Sequence, residues 1–414
     1  MGYKPTVFNQ LFNFIPRHVF EKSAQAHQAD RYAKTFKAWQ QLLLLLYAQA
    51  TGKQSLRDII GGLQLHNSKL YHLGLRPVPR STIADGMKRR DSKVFEEMFN
   101  AMVRKTSAVV PGHRFRFKNP LYSIDATTID LCLSVFDWAK FRKQKGAIKL
   151  HCQFDHSGHI PNFVYISDGK MHDAKAVKGF FDIEPDSIYC VDKAYVDYEW
   201  LHTIHKTKAF FVTRAKINMD CRITGQHSEG GKKGVITDRI IKLNGHNSSR
   251  KYPSRMRMVV YKDDETGKVY HFITNNFRLA APTIAAIYKQ RWQIELFFKW
   301  IKQNLKIKTF LGTSKNAVMA QVWVAMIYYL LLAYIKFMSK SPLSLTNFAR
   351  RVKEGIMMQM DLLELLCLAE SKPAKPPDGQ GLDQMVIHSM KYLPDSSDWI
   401  IIFNKLHPEK GFLR

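Results

Sequence analysis

The chain has 414 residues, 45% of them hydrophobic, which is enough for a sizeable core and for two or three modules rather than one. Its 63 Lys and Arg against 35 Asp and Glu leave a net charge of +28, which draws the chain to polyanions, nucleic acid ahead of an acidic membrane surface. Five cysteines with no C-x-x-C pair argue against a disulfide framework or a zinc site and suit a reducing compartment.

The start, MGYKPTVFNQ, lacks the apolar run of a signal peptide. From about Phe8 to Met102, LFNFIPRHVF, AWQQLLLLLYAQATG and SLRDIIGGLQ carry apolar residues at three- and four-residue spacing and predict helices. Gly52 suits a C-cap, and Ser55 with Asp58 and Thr82 with Asp85 suit helix starts. RSTIADGMKRR either presents Lys88, Arg89 and Arg90 to phosphates or is a solvated helix face.

At about Lys118 the texture changes. LYSIDATTIDL, AIKLHCQFD, NFVYISDG and SIYCVDKAY predict strands, with a short helix in HDAKAVKGFF. DYEWLHTIHKTK then reads as a helix and AFFVTRAK as a strand, so a mixed sheet with helices on its faces is expected. Residues 217–276 read as strands and turns. There DDETG joins RMRMVVY to KVYHFITNN as a hairpin, and GGKKG and NGHN are turns. Helical pattern resumes at Ala281. Val322–Ile335 is too short for a membrane span and reads as a buried helix. SKPAKPPDGQG, Ser371–Gly381, is a linker before a short tail.

Within YKQRWQIELFFKWIK, helical spacing gathers Tyr288, Arg291, Glu295 and Lys302 into an arc of about 60°. Ile294, Phe297, Phe298 and Ile301 form the adjoining apolar stripe. An ordinary Arg291–Glu295 surface pair is the plain alternative. Asp125 inside one apolar strand and Asp192 at the end of another change the balance. A buried carboxylate is costly unless it is paired, hydrogen-bonded or bound to metal. Two strand-borne aspartates and a helical glutamate are hard oxygen ligands of the kind that hold two Mg²⁺ for phosphoryl transfer. Asp130, Asp168, Asp173 and Asp197 fit an opposite face, a turn and two helix starts.

These residues resemble the DDE transposases of bacterial insertion sequences, specifically the insertion sequence four group. Tyr-x2-Arg-x3-Glu-x6-Lys is matched in full by Tyr288, Arg291, Glu295 and Lys302. SIDATTIDL and CVDKAY match around Asp125 and Asp192, although Lys193-Ala194-Tyr195 stands where Arg-Gly-Tyr is usual. The resemblance implies an α/β fold: a ribonuclease-H-like mixed-sheet catalytic core with a β-rich insertion and helical N- and C-terminal parts. The corresponding regions are a DNA-binding region at 1–118, core at 119–216, insertion at 217–276, core again at 277–340 and a helical or linker tail at 341–414. It also implies metal-dependent cleavage at the terminal inverted repeats, through a hairpin in relatives, followed by strand transfer. A catalytically inactive DNA-binding protein on the same fold is the alternative.

The resemblance implies that Asp125, Asp192 and Glu295 hold two Mg²⁺ or Mn²⁺ ions and that Tyr288, Arg291 and Lys302 grip phosphates near the cleaved end. Arg214 is a further expected DNA contact. Arg142, Lys145 and Lys149 are either DNA contacts as well or part of a solvated loop. Trp292 and Trp300 could stack on an extruded base or belong to the core. The expected partners are double-stranded DNA, both transposon ends and target, and a second copy in a synaptic dimer. No membrane is expected, and the expected location is the bacterial cytoplasm in association with the nucleoid.

Overall fold

The computed structural model describes residues 4–132, 134–142, 145–229, 231, 233–305 and 309–367, excluding the side chains at 140–142, 145 and 367. The expected linker at 371–381 and the tail beyond it lie outside the described residues. Met1–Leu366 forms one compact unit.

The first part of this unit is helical, with α1 (Val7–Asn13), α2 (Arg17–Ala26), α3 (Ala38–Thr51), α4 (Leu56–Gln64), α5 (Asn67–Leu70), α6 (Arg80–Arg89) and α7 (Lys93–Ser107). Gly52 closes α3 in the left-handed region at φ 72°, and the Ser55 hydroxyl accepts from the Asp58 N–H at 3.1 Å to open α4. Thr82 is no cap: α6 begins at Arg80 behind Pro79, whose fixed φ suits a helix entry. Arg90 is not offered to phosphates either. It is 6% exposed and donates to the Ala29 carbonyl, the Gln41 amide oxygen and the Phe36 carbonyl, tying α6 to α3.

The sheet follows, made of β1 (Leu121–Leu131), β2 (Lys140–Arg142), β3 (Lys145–Asp155) and β4 (Ile160–Asp168), then β5 (Ile188–Val191) and β6 (Phe210–Arg214). Helix α8 (Asp173–Phe180) lies between β4 and β5, and α9 (Tyr198–Lys206) between β5 and β6. The order β4-β3-β1-β5-β6 has three antiparallel strands followed by two parallel to β1, which is ribonuclease-H-like. The next strands are β7 (Cys221–Ser228), β8 (Val235–Leu243), β9 (Met256–Lys262) and β10 (Val269–Thr274). They extend the same sheet, because β10 pairs antiparallel with β6 and satisfies backbone groups that an edge would leave open. The expected hairpin joins β9 to β10. The NGHN segment is not only a turn: it enters a short helix, α10 (His246–Lys251).

The remaining helices are α11 (Ala281–Gln290), α12 (Trp292–Asn304), α13 (Lys315–Met338), α14 (Leu345–Gly355) and α15 (Leu362–Cys367). Helix α13 is long and apolar enough to cross a membrane, yet 89% of its most apolar window is buried inside the protein. It packs against α7, α3 and α6 as the central rod of the helical layer. The sequence reading places 341–414 together as a tail, but Leu345–Leu366 joins the N-terminal helices. The Val7 and Phe8 N–H groups donate to Met358 and Ile356 at 3.0 and 2.8 Å, and the Gln10 amide donates to the Met360 carbonyl at 2.7 Å. The unsatisfied N–H groups at the start of α1 explain this docking.

Strand alternation sorts the two faces. Tyr122 and Ile124 of β1 pack with Trp200, Leu201 and Ile204 of α9, while Leu121 packs with Ile284 and Ile287 of α11. Asp125 therefore shares the α11 side with Leu121. In β5, Ile188 and Cys190 face α11 and Tyr189 and Val191 face α9, so Asp192 continues the α11 series.

Two buried polar clamps fix this frame. Asp238 of β8 and Arg257 of β9, 0% and 1% exposed as side chains, pair through two bonds of 2.8 and 2.7 Å. Arg257 also donates to the Asn276 and Leu279 carbonyls, anchoring the approach to α11. At the start of β1, His156 Nε2 lies 2.7 Å from the Ser123 hydroxyl. Burial, with help from His159 and His113, pushes the His156 imidazole down to about 3.

Asp238→Ala strands a buried guanidinium and should cost about 3–5 kcal/mol, read as a lowered urea midpoint. His156 is neutral when folded and ordinary when unfolded, so the unfolded chain binds more protons between about 3 and about 6.5. Its contribution is complete above pH ~6.5 and is lost as the pH falls toward 3. Stability followed by denaturation across that window should decline with acid, and His156→Gln should flatten the decline.

Candidate active site

The register Ile124↔Val191 between parallel β1 and β5 makes Asp125 and Asp192 successive neighbours on one face. The Asp125 side chain is 21% exposed, set mid-strand opposite Cys152 of β3. One carboxylate oxygen accepts the Ala126 N–H at 2.8 Å and the other accepts Arg291 Nη1 at 3.2 Å. Burial pushes the Asp125 carboxyl up to about 6. The Ala126 N–H and Arg291 pull it down, and the charges of Glu295 and Asp192 add to the rise.

Glu295 lies in the first turn of α12, where the helix dipole favours a negative charge, and Oε1 accepts Arg291 Nη2 at 2.5 Å. Arg291 thus forks between the first aspartate and the glutamate. Asp192 has its own partners: Oδ1 accepts Arg214 Nη2 at 2.7 Å and the Tyr288 hydroxyl at 3.0 Å. Burial raises the Asp192 carboxyl, but the bonds from Arg214, the Lys193 N–H and Tyr288 hold it below the usual range. The Tyr288 ring faces both guanidinium groups, Arg214 at 5.5 Å and Arg291 at 5.7 Å, and packs on Phe272 at 4.9 Å.

The four motif residues do not share one helix. Tyr288 belongs to α11, Glu295 and Lys302 to α12, and Arg291 is the junction, with φ −52° and ψ −31°. The backbone there stays in the right-handed region but the hydrogen-bond ladder breaks. A new helix start therefore lies just ahead of Glu295. The expected apolar stripe is buried: Ile294 and Ile301 are 0% exposed, and Phe297 packs on Phe154 of β3 and Tyr329 of α13.

Lys149 is not part of this cluster. It faces α8, across the sheet from Asp125, with Nζ 2.8 Å from Asp173. The side chains of Arg142 and Lys145 lie outside the described residues. Asp168 makes the expected turn, accepting from the Lys170 and Met171 N–H groups, and Asp197 caps α9. Trp300 belongs to the core edge, bonded to Thr346 at 3.0 Å and packed on Tyr329, whereas Trp292 is 57% exposed.

Trp292, Arg291, Arg214 and Tyr288 line a pocket of about 440 Å³ with Tyr261, Tyr270 and Phe272 from β9 and β10. Sequence reasoning missed these three aromatics. Tyr270 and Phe272, two apart on one strand and stacked at 5.8 Å, were the available signal. Among the described residues, no three His, Cys, Asp or Glu side chains are grouped closely enough to hold an ion. The donor chemistry nonetheless suits a hard divalent cation. Three carboxylates converge on one arginine and one arginine–tyrosine pair, and the most buried of them needs a positive partner to stay charged.

A family described as Transposase DDE domain matches residues 116–331, and a Domain of unknown function (DUF4372) matches residues 3–76. The chain is 34% identical to the y4zB transposase of Sinorhizobium fredii over 284 residues, 68% of this chain and 78% of that one. It is 28% identical to the transposase of insertion sequence element IS5377 from Geobacillus stearothermophilus, over 75% of this chain and 85% of that one. With the transposase of insertion sequence element IS4SA from Synechocystis it shares 24% identity over 64% and 75% of the two chains.

The two tryptophans should separate cleanly. Trp300→Ala, at a half-buried position, should cost about 1–3 kcal/mol by urea denaturation, and Trp292→Ala should stay within about 0.5 kcal/mol of the parent.

Proposed function

Since this chain belongs to the transposases with a DDE domain, enzymes that cleave DNA and transfer strands, we propose that Asp125, Asp192 and Glu295 are its catalytic acids. The observation that carries the assignment is the convergence of three carboxylates, remote in sequence, on Arg291, Arg214 and Tyr288. The family uses divalent metals. Asp125, Asp192 and Glu295 are the residues that would hold them here, as two Mg²⁺ or Mn²⁺ ions. When bound, such ions supply positive charge to the attacking and leaving oxygens of a phosphoryl transfer.

The chain's own groups do the rest. Arg291 and Arg214 present planar forks suited to phosphate oxygens, and Lys302 on α12 adds a point charge. Tyr288 orients both guanidinium groups through its ring. The pocket lined by Trp292, Tyr288, Tyr261 and Tyr270 offers aromatic surface to an unstacked base next to Arg291 and Arg214, which supports the hairpin route of the insertion sequence four group.

The substrates are transposon ends and target DNA, bound by a homodimer in the cytoplasm with the nucleoid. The N-terminal region, 1–118, contributes duplex contacts. A groove of about 630 Å³ there is lined by Arg17, Lys34, Lys37 and Arg76 with Trp39 and Tyr71, and by no carboxylate.

Mg²⁺-dependent nicking of duplexes carrying the element's ends tests the assignment. Asp125→Asn, Asp192→Asn and Glu295→Gln should each lower nicking by about two orders of magnitude or more while duplex binding persists. Nicking that survives all three substitutions would remove these acids from the reaction.

A further inference from the structure

Every acid of the site already has a guanidinium partner within the protein: Asp125 and Glu295 share Arg291, and Asp192 has Arg214. Arg291 spans Asp125 and Glu295 with separate nitrogens at 3.2 and 2.5 Å, and its side chain is only 13% exposed. A guanidinium in that position supplies one of the two positive charges a divalent cation would bring, and it occupies an oxygen of each carboxylate that a cation would need.

The same arginine is incompletely bonded. Its Nε is buried with no hydrogen-bond partner, and so is the Nε of Arg214, which holds Asp192. Both guanidinium groups also line the 440 Å³ pocket beside the acids, where a phosphate could reach them. A phosphate offers an arginine two oxygens in the geometry of a carboxylate, with more negative charge.

We propose that Arg291 is an electrostatic latch. In the DNA-free protein it sits on Asp125 and Glu295 in place of metal, and a DNA phosphate draws it away. Metal and DNA therefore bind as a coupled pair, each raising affinity for the other by the same factor. The latch rests on the reading of the three acids as metal ligands. It adds that the free enzyme is held in a form that binds metal poorly, so that phosphoryl transfer is armed only where DNA is present.

Direct Mn²⁺ binding to the full chain, followed by electron paramagnetic resonance with and without duplex DNA, tests this. Without DNA, Arg291→Gln should bind Mn²⁺ at least about tenfold more tightly than the parent. Arg291→Lys, which keeps a charge but cannot fork to two acids, should fall between them and serves if the glutamine variant does not fold. Duplex DNA should tighten Mn²⁺ binding to the parent and tighten it much less in Arg291→Gln. Equal or weaker Mn²⁺ binding by both variants would overturn the latch. Asp125→Asn separates the two claims. Loss of Mn²⁺ binding there leaves the acid assignment standing even if the latch fails, whereas unchanged binding puts the ion elsewhere and removes both.

Discussion

A carboxylate in the middle of a sheet strand must find positive charge, because burial raises the free energy of its ionised form. Asp125 is in that position, and the architecture around it is arranged to deliver Arg291. The residue stands at the α11–α12 junction, so both helices have to be placed for the fork to close. Helix α12 is held by Phe297 on β3 and α13. The approach to α11 is held by Arg257, itself locked by Asp238 on the neighbouring strand β8. A charge requirement at one strand position thus reaches into the β-rich insertion and the helical layer alike.

Much of this was legible in the sequence. Alternation along LYSIDATTIDL and SIYCVD set the strand faces, and the structure puts Asp125 and Asp192 on one of them. The hairpin, the buried rod of α13 and the apolar stripe of α12 were equally readable, since local periodicity decides them. What stayed hidden was decided by distant partners. The break at Arg291 leaves no mark in a helical pattern, because its backbone remains helical. The burial of Arg90 depends on carbonyls in α3 and the turn before it. The docking of Leu345–Leu366 on α1 is made by hydrogen bonds between residues about 350 positions apart, which no window of sequence contains. Lys149 failed as a neighbour of the acids for a simpler reason. It is three positions from Cys152, which pairs with Asp125, and strand parity turns it to the other face.

The insertion also acquires a clearer role. Its strands continue the catalytic sheet, and Tyr270 and Phe272 carry aromatic surface to the edge of the acid cluster. Interrupting the core between Asp192 and Glu295 therefore builds one wall of the pocket that Arg214 and Arg291 line. Basic side chains line both that pocket and the N-terminal groove, in each case with an exposed aromatic ring, Trp292 in the one and Tyr71 in the other.

The helical layer is begun by α1 and finished by the stretch from Ile356 to Leu362, with the whole sheet inserted between the two. During synthesis the opening helices pack on one another but must wait for α13 and the closing segment before the layer is complete. A product cut short ahead of α14 keeps the rod of α13 but leaves the Val7 and Phe8 N–H groups and the Gln10 amide without the Met358, Ile356 and Met360 carbonyls. The closing segment is therefore a fastener on the first helix, so loss of the segment frays the two ends of the layer together.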